Sequence, residues 1–236
     1  MKLNDILDAL FPEGHRVDRN DKVLIGEATL GGQPVAVLGT TDAAAVDHAI
    51  ALSLAAAVLA TIEKHPGRPL LFLVDTSGQA LSRSQELLCL NGSLAHLAEC
   101  VDLARRRGHP SLALVTANAV SGGFLSFGLM ADVAYALQDA QVRVMDLRAM
   151  SRVTKIPLEQ LGELAGNSPI FAPGAENYQR MGGIEAIWPA PSPSLLAAAL
   201  DEAVERCRAG DQRMAIARAR GGRQLAATIA ERVAGY

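Results

Sequence analysis

The segment NAVSGGFLSFGLMAD, residues 118–132, carries the residue types best suited to chemistry in this sequence. Gly122 and Gly123 stand side by side at the start of an apolar stretch that has the character of a helix. A glycine costs a helix about 1 kcal/mol relative to alanine, so helix formation does not explain the pair. Two explanations stay open: another backbone packs very closely against these glycines, or their bare main-chain amides face a ligand.

Main-chain amides at the start of a helix have a defined chemistry. The first N–H groups of a helix lack partners within it, and the helix dipole adds partial positive charge. The amides of Gly122 and Gly123 therefore predict a site for an anion, such as a carboxylate or a thioester enolate. Ser121, just before them, fits a helix N-cap. A serine-hydrolase elbow around Ser126 is not expected, because Phe124 replaces the glycine that its strained turn requires.

A second candidate turn, DTSGQ at residues 75–79, follows the apolar run LLFLVD. The Gly122–Gly123 turn follows a similar run, SLALVTA. Such runs are typical of strands covered on both faces, and open α/β sheets bind ligands beyond the carboxyl ends of their strands. If the two strands are neighbours, both turns border one crevice.

The hydrophobic pattern predicts the elements that hold these turns in place. Upstream, it indicates a short helix in MKLNDILDALF, a polar turn RVDRND, a β-hairpin across Gly31–Gly32 and a helix from about Ala44 to Lys64. Between and after the two turns, it indicates a helix from about Ser84 to Arg107, short strands in VAYALQ and QVRVM, and a C-terminal helical pair after WPAPSPS. Strands that alternate with helices across short connections predict an α/β fold.

Composition excludes several classes of protein. A chain of 236 residues suits one domain, and a net charge of −3 gives no basic footprint for nucleic acid. No apolar run reaches the roughly 18 residues of a membrane span, and charges at Lys2, Asp5 and Asp8 rule out a signal peptide. Three cysteines and five scattered histidines lack ligand spacing, so no metal site is predicted. We expect buried thiols and a cytoplasmic location.

With these motifs placed, the chain resembles the crotonase-fold superfamily, and within it the carboxyltransferases of biotin-dependent carboxylases and decarboxylases. The turn DTSGQ, then a long helix, a strand and SGGFLSFGLMAD, is similar to the family pattern D-T-P-G followed by S-G-G-A. More narrowly, the chain resembles the gamma subunit of malonate decarboxylase, strongly from about Leu70 to Trp188. The segments that carry this likeness are DTSGQALSRSQELLCLNGSLAHLAECVDLARRRGH, VRVMDLRAMSRVTKIPLEQL and SPIFAPGAENYQRMGGIEAIW.

Two departures from the broader family bear on activity. Ser77 stands where that family has proline, and MDLRAMSRV replaces its S-P-E-G segment. The second difference favours decarboxylation over biotin-linked transfer. Two alternatives stay open: a subunit of a biotin-dependent acyl-CoA carboxyltransferase, and a non-catalytic partner whose glycines only permit close packing.

The resemblance implies a crotonase-like (ClpP/crotonase) spiral of ββα units in one domain, residues 1–236, with residues 193–236 as a helical extension for subunit contacts. It implies biotin-independent loss of CO2 from a malonyl thioester on an acyl carrier protein, which gives the acetyl thioester. No cofactor is bound directly, since the prosthetic group of the carrier protein holds the thioester. The implied partners are a beta subunit that shares the active site and the carrier protein. Apolar residues of the tail are expected to need something to pack on: Leu195, Leu196, Leu200 and Val204.

The resemblance also implies two groups of site residues. In the catalytic group, two amides form an oxyanion hole, directed to the carboxylate end of the malonyl group, and the serine orients the loop: Gly122, Gly123 and Ser121. The substrate-binding group lines the opposite wall: Ser77, Gly78 and Gln79.

Overall fold

A computed structural model describes residues 1–145, 147–167, 173–222 and 224–235. Within these ranges, nine strands form one sheet. The strands are β1 His15–Asn20, β2 Val23–Leu30, β3 Gln33–Thr40, β4 Ala44–Val46, β5 Leu70–Gln79, β6 Ser111–Val120, β7 Val133–Leu137, β8 Gln141–Arg143 and β9 Ala186–Trp188. Residues 168–172 of the SPIFAPGAENYQRMGGIEAIW motif and Asp146 of MDLRAMSRV lie outside the described residues.

The helices of these ranges surround the sheet. They are α1 Leu3–Leu10, α2 His48–Lys64, α3 Arg83–Leu87, α4 Leu90–Arg106, α5 Ser121–Phe127, α6 Leu147–Thr154, α7 Leu158–Asn167, α8 Ala175–Arg180, α9 Pro193–Ala209, α10 Arg213–Ala219 and α11 Gln224–Ala234. None of these helices is long and apolar enough to cross a membrane.

The sheet runs in the order β1-β2-β3-β5-β6-β7-β9, antiparallel through β3 and parallel from β3 onward. The hairpin across Gly31–Gly32 is confirmed as β2 and β3. Strands β5 and β6 are parallel neighbours, which confirms that the ends of LLFLVD and SLALVTA meet at one edge. Their side chains are buried on both faces: Leu70, Phe72 and Val74 enter one core, and Leu71 and Leu73 enter the other.

Both central strands continue beyond the main sheet into a short second layer. The end of β5 pairs with β4, in the register Ala44↔Thr76 and Val46↔Gln79. The end of β6 pairs with β8, in the register Asn118↔Gln141 and Val120↔Arg143. We call this layer the ledge: β4, residues 76–79, residues 118–120 and β8. The predicted turn at residues 75–79 is therefore wrong, because these residues extend a strand and obtain ladder partners from β4 and β6.

Three other boundaries differ from the sequence-based prediction. RVDRN forms β1, an exposed polar strand at the sheet edge, rather than a turn; a polar composition suits an edge strand because it discourages pairing with other chains. The helix predicted from Ala44 begins at His48, since residues 44–46 form β4.

The helix predicted over residues 84–107 is interrupted. Cys89 adopts a left-handed conformation with φ 58° and separates α3 from α4. As a result Leu87, within the predicted helix, is 73% exposed, whereas Leu90, Leu97 and Val101 are buried. Cys89 is also exposed and Cys100 is buried, so the expectation of buried thiols is wrong for Cys89.

The C-terminal segment is partly integral to the fold. Helix α9 packs on β6 and β7, and Leu196 and Leu200 are buried in the core on that face. The prediction that these two leucines need a partner is therefore wrong. Three helices, rather than a pair, follow residue 192 in the described part of the C-terminal segment. Exposed apolar residues are concentrated on α10 and α11: Met214, Leu225, Ile229 and Val233.

Candidate functional site

Asp75 fastens the point where β5 and β6 leave the main sheet. Its Oδ1 accepts hydrogen bonds from the Asn118 backbone N–H at 3.0 Å and from Asn118 Nδ2 at 3.1 Å. Its Oδ2 accepts from the Ala43 N–H at 2.9 Å. One carboxylate on β5 thereby connects β6 with the residue before β4 at the start of the ledge.

The Thr76 side chain connects backbone segments inside the ledge. Its hydroxyl is fully buried, donates to the Ala44 carbonyl at 2.7 Å and accepts from the Gly78 N–H at 3.0 Å. Gly78 has φ +108°, a conformation that side chains rarely adopt. The Gly78 amide is therefore already bonded within the protein, and its glycine is required by backbone geometry.

Ser121 forms a strained turn between β6 and α5. Its φ is +47°, a left-handed conformation that costs a residue with a side chain about 1–3 kcal/mol and is concentrated at functional sites. Val120 is the N-cap, without a side-chain cap bond. The N-cap explanation for Ser121 is thus wrong, because the strained residue is already the first of the helix.

Gly123 is explained by close packing. A Cβ on it would lie 2.5 Å from Thr76 Oγ1 and 3.0 Å from the carbonyl carbon and oxygen of Gly78. Those contacts are with a buried hydroxyl and with backbone, neither of which can move aside. The first explanation of the glycine pair, the approach of another backbone, therefore applies to Gly123.

Gly122 has a different environment. Its N–H donates to Gln79 Oε1 at 3.1 Å, so the prediction of a bare amide is wrong in this structure. A Cβ on Gly122 would meet the Gln79 side chain at 3.1 Å and Leu94 Cδ1 at 3.5 Å. The partner of this amide is the far end of a half-buried, flexible side chain. Ser77, the third residue predicted for the opposite wall, is exposed.

The structure brings together a histidine and a serine that spacing does not reveal. His48 Nδ1 lies 2.7 Å from Ser93 Oγ, and the residues are 45 positions apart. His48 Nε2 lies 3.1 Å from the Gln85 carbonyl oxygen. Because a carbonyl only accepts, Nε2 carries the hydrogen, and Nδ1 accepts from the Ser93 hydroxyl. No local sequence signal could have found this pair, since α2 and α4 meet only in the folded chain.

A different part of the molecule contains a cavity of about 310 Å³. It lies where α9 and α10 meet the body, and we call this region the C-terminal junction. Its lining includes Glu185, Arg206, Arg213 and Asp132 and none of the predicted site residues. It is therefore separate from the ledge.

Charges at the C-terminal junction are extensively paired. Burial raises the pKa of Glu185, but hydrogen bonds from Arg220 and Arg206 outweigh it and leave that pKa lowered. The Arg206–Glu185 and Arg220–Glu185 contacts are 2.6 and 2.5 Å long. Burial raises the pKa of Asp132, although Ser111 donates to its Oδ2 from both backbone and side chain.

The fold is that of crotonase-fold carboxyltransferases. The solved transcarboxylase 12S core is similar with a TM-score of 0.70, covering 86% of this chain and 40% of that one at 17% identity. The beta subunit of Pseudomonas aeruginosa geranyl-CoA carboxylase is similar with a TM-score of 0.67, covering 87% of this chain and 42% of that one at 17% identity. These likenesses define the fold.

The chain belongs to the malonate decarboxylase gamma subunit family, whose model matches residues 40–236. A solved Pseudomonas malonate decarboxylase hetero-tetramer in complex with coenzyme A is similar with a TM-score of 0.74 and 28% identity, covering 91% of this chain and 95% of that one. The Pseudomonas MdcD–MdcE hetero-dimer gives a TM-score of 0.71 at 28% identity, covering 91% of this chain and 94% of that one.

A sequence relative comes from Malonomonas rubra. It is the malonyl-S-ACP:biotin-protein carboxyltransferase MADD, 31% identical over 185 residues that cover 70% of this chain. The match spans 63% of that relative, less than two thirds of its length.

Proposed function

We propose that this chain works with a beta subunit to decarboxylate a malonyl thioester carried by an acyl carrier protein, without biotin. Family membership and the Malonomonas relative, which acts on malonyl-S-ACP, support the substrate class. The observation that carries the proposal is the Gly122 amide, which points from a strained strand-to-helix turn to an oxygen atom on a movable side chain.

Gln79 Oε1 marks the position that a substrate oxygen would take. It is 3.1 Å from the Gly122 nitrogen, within the range expected of an N–H···O bond. An entering malonyl group displaces Gln79, and one of its oxygens accepts from Gly122 instead. Ser121 keeps the turn in shape, while Ser77, Gly78 and Gln79 form the facing wall. The role of Gly123 is to let α5 approach the ledge closely enough.

The reaction needs charge stabilisation more than covalent catalysis. Cleavage of the C–C bond pushes an electron pair into the thioester carbonyl and forms an enolate, while the carboxylate leaves as neutral CO2. An amide aimed in advance at a malonyl oxygen lowers the barrier by about 3–4 kcal/mol per donor. Exclusion of water by the partner subunit favours loss of the carboxylate charge.

Subunit contacts are assigned to apolar residues that the fold leaves exposed. In the tail, within residues 193–236, α10 and α11 carry Met214, Leu225, Ile229 and Val233. Beside the site, the segment around α3 exposes Leu81, Leu87 and Leu88. Burial of such side chains against a beta subunit would stabilise the complex and close the cleft.

A group of cations next to the ledge fits the carrier protein. We call residues 143–155 the basic segment. It begins with Arg143, which pairs with Val120 one residue before Ser121. Within the part of the chain that the structure describes, none of its cations forms an ion pair: Arg143, Arg148, Arg152 and Lys155. Unpaired cations on a segment that begins in the ledge suit the phosphate of a carrier-bound thioester.

The test is CO2 release from malonyl-pantetheine by the complex of this chain with its beta subunit. Gly122→Val fills the oxygen position and is expected to lower kcat by roughly 10²–10³-fold while the complex still co-elutes. Gly162→Val is the matched control, because nothing lies within 4 Å of a Cβ at Gly162. Retained activity in Gly122→Val would refute the proposed hole.

One rival function is favoured by a specific observation. The Malonomonas relative is a biotin-protein carboxyltransferase, so transfer of the carboxyl group to biotin is the second candidate. Strict dependence of turnover on a biotin-carrying protein would establish it over decarboxylation. Full activity of the beta subunit alone would instead support a non-catalytic partner.

A further inference from the structure

The His48–Ser93 pair lies beside the candidate site, and the decarboxylation described above leaves it without a role. The Ala80 N–H donates to the Val46 carbonyl at 2.8 Å, which brings the start of α2 next to the end of the ledge strand β5. On the other side, Leu94 Cδ1 lies 3.5 Å from where a Cβ on Gly122 would be. Ser93 therefore directly precedes, in the sequence, a residue whose side chain lies next to the Gly122 turn.

Three helices begin around this spot. His48 is the first residue of α2, Leu90 the first of α4 and Ser121 the first of α5. Helix α4 packs between the other two. Gln79, which bonds to Gly122, comes directly before Ala80. The pair and the Gly122 amide thus flank the same end of β5.

The orientation of the imidazole is fixed at both nitrogens. Nε2 donates to the Gln85 carbonyl at 3.1 Å, and Nδ1 faces Ser93 Oγ at 2.7 Å. The His48 backbone N–H donates to Gln85 Oε1 at 3.1 Å as well. A proton added to this ring can be placed only on Nδ1, where it points to Ser93 Oγ.

We propose that Ser93, supplied by His48, donates the proton that converts the enolate into the acetyl thioester. This inference rests on the proposed function. With Nδ1 protonated, His48 donates to Ser93 Oγ, and the Ser93 hydroxyl hydrogen is free to be donated to the enolate. The enolate carbon takes that hydrogen as a proton while the Nδ1 proton moves to Ser93 Oγ. The products are the acetyl C–H bond, a neutral serine and a neutral imidazole, which water reprotonates.

This proton relay, from His48 through Ser93 to the enolate carbon, does not depend on which malonyl oxygen Gly122 holds. The carboxylate and the thioester carbonyl are both attached to the methylene carbon, so either oxygen lies two bonds from it. A substrate anchored at Gly122 therefore holds its methylene carbon at a similar distance from Gly122 in both cases. Ser93 is the catalytic residue in this scheme, and His48 acts through it.

Few titratable or charged side chains lie near the His48–Ser93 pair on these elements. Those closest along the chain on α2, α3 and α4 are Asp47, Arg83, Glu86, Cys89 and His96. Asp47 is engaged as the α2 N-cap, accepting from the Ile50 N–H at 2.9 Å. Arg83, Glu86, Cys89 and His96 are exposed.

The experiment measures hydrogen exchange and CO2 release in the same complex with its beta subunit. Acetyl-pantetheine in D2O reports the proton transfer alone, because deuterium enters the methyl group without decarboxylation. Ser93→Ala and His48→Gln are expected to lower the exchange rate by roughly 10²-fold or more. Ser93→Thr restores a hydroxyl and should recover most of it. His96→Gln, an exposed histidine on the same helix, is the matched control and should exchange at the wild-type rate.

The possible outcomes distinguish a failure of the proton relay from a failure of the proposed function. Wild-type exchange in Ser93→Ala, with CO2 release intact, overturns the relay and leaves the proposed function standing. Equal loss in Ser93→Ala and in a folded Ser93→Thr also overturns it, since the hydroxyl would then be irrelevant. A wild-type complex that neither exchanges nor releases CO2 refutes the proposed function itself. Support requires loss of exchange in Ser93→Ala and in His48→Gln, together with recovery in Ser93→Thr.

Discussion

The ledge and the C-terminal junction use opposite electrostatics. At the ledge, the Gly122 amide meets the neutral side chain of Gln79. At the C-terminal junction, Glu185 is paired with Arg206 and Arg220. The first arrangement has a dipole with a replaceable partner, whereas the second has charges whose partners are fixed.

The difference follows from what each region must do. A carboxylate between two guanidiniums is stable in one arrangement, and its pKa is lowered accordingly, so it fastens the C-terminal helices to the body. A preorganised amide dipole is most useful where charge forms during a reaction, because it needs no reorganisation at that moment. Five predictions test this division between a reactive end and a fastened end, in order of decreasing effect.

Replacement of Gly123 by valine should have the largest effect, because it removes both activity and stability. Its side chain would collide with Thr76 Oγ1 and the Gly78 backbone, and such overpacking costs about 1–3 kcal/mol or more. Urea unfolding measures the loss of unfolding free energy. Gly122→Ala meets only the ends of the Gln79 and Leu94 side chains and should unfold close to wild type. Equal destabilisation by the two variants would contradict the distinct roles of the two glycines.

Gln79→Glu should impair turnover without harming the fold. The carboxylate would bond to the Gly122 amide as a charged acceptor, which is stronger than a neutral one, and would repel the malonyl carboxylate. We expect KM to rise by about tenfold or more, the equivalent of roughly 1.4 kcal/mol. Steady-state kinetics on malonyl-pantetheine measures it, with Gln33→Glu, at an exposed glutamine of the β2–β3 hairpin, as the control. An unchanged KM would show that the substrate does not displace residue 79.

Thr76→Val keeps the shape of a fully buried side chain and removes its hydroxyl. The Ala44 carbonyl and the Gly78 N–H lose their partner, and an unsatisfied buried group costs about 1–3 kcal/mol. Thermal and urea unfolding test this, with Thr154→Val on the exposed surface as the control. A neutral result would mean that the ledge does not depend on this hydroxyl.

Neutralising the basic segment should weaken carrier recognition modestly. Arg148→Ala with Arg152→Ala is expected to raise KM for the malonyl carrier protein several-fold, about 1 kcal/mol, with little change for malonyl-pantetheine. The effect should shrink as salt increases. Arg208→Ala removes an exposed arginine that is already paired with Glu205 and serves as the control. Identical results for the two changes would mean that unpaired cations do not mark the carrier surface.

The smallest effect concerns acid stability at the C-terminal junction. The hydrogen bond from Arg213 lowers the pKa of Asp211 to about 2, below the roughly 3.9 of a free aspartate. Asp211 therefore contributes stability that is present above about pH 4 and is lost as pH falls toward about 2. The Asp211→Asn variant should lose part of the acid-dependent decrease in unfolding free energy. A pH profile that matches wild type would show that this pairing does not hold α10.

Sequence reasoning predicted elements best where burial dictates residue type. LLFLVD and SLALVTA had to be strands covered on both faces, and they are β5 and β6. Boundaries failed where long-range pairing decided the outcome. Residues 75–79 have the composition of a turn, yet β4 supplies the ladder that makes them a strand. Cys89 ends the predicted long helix through a backbone conformation that no periodicity reveals.

The candidate site divides in the same way. The sequence by itself determined that Gly122 and Gly123 begin a helix after a buried strand, since glycine at that position has only packing and amide exposure to explain it. The tertiary structure decided which glycine has which role: Thr76 and Gly78 press on Gly123, and Gln79 faces Gly122.

The His48–Ser93 hydrogen bond also belongs to the tertiary structure alone. Local periodicity records which face of an element is buried, because burial selects residue types one element at a time. It carries no record of which distant side chains meet, because that depends on how the ledge, α2, α4 and α5 pack together. The candidate site depends on those long-range contacts, whereas the fold class follows from the pattern of strands and helices.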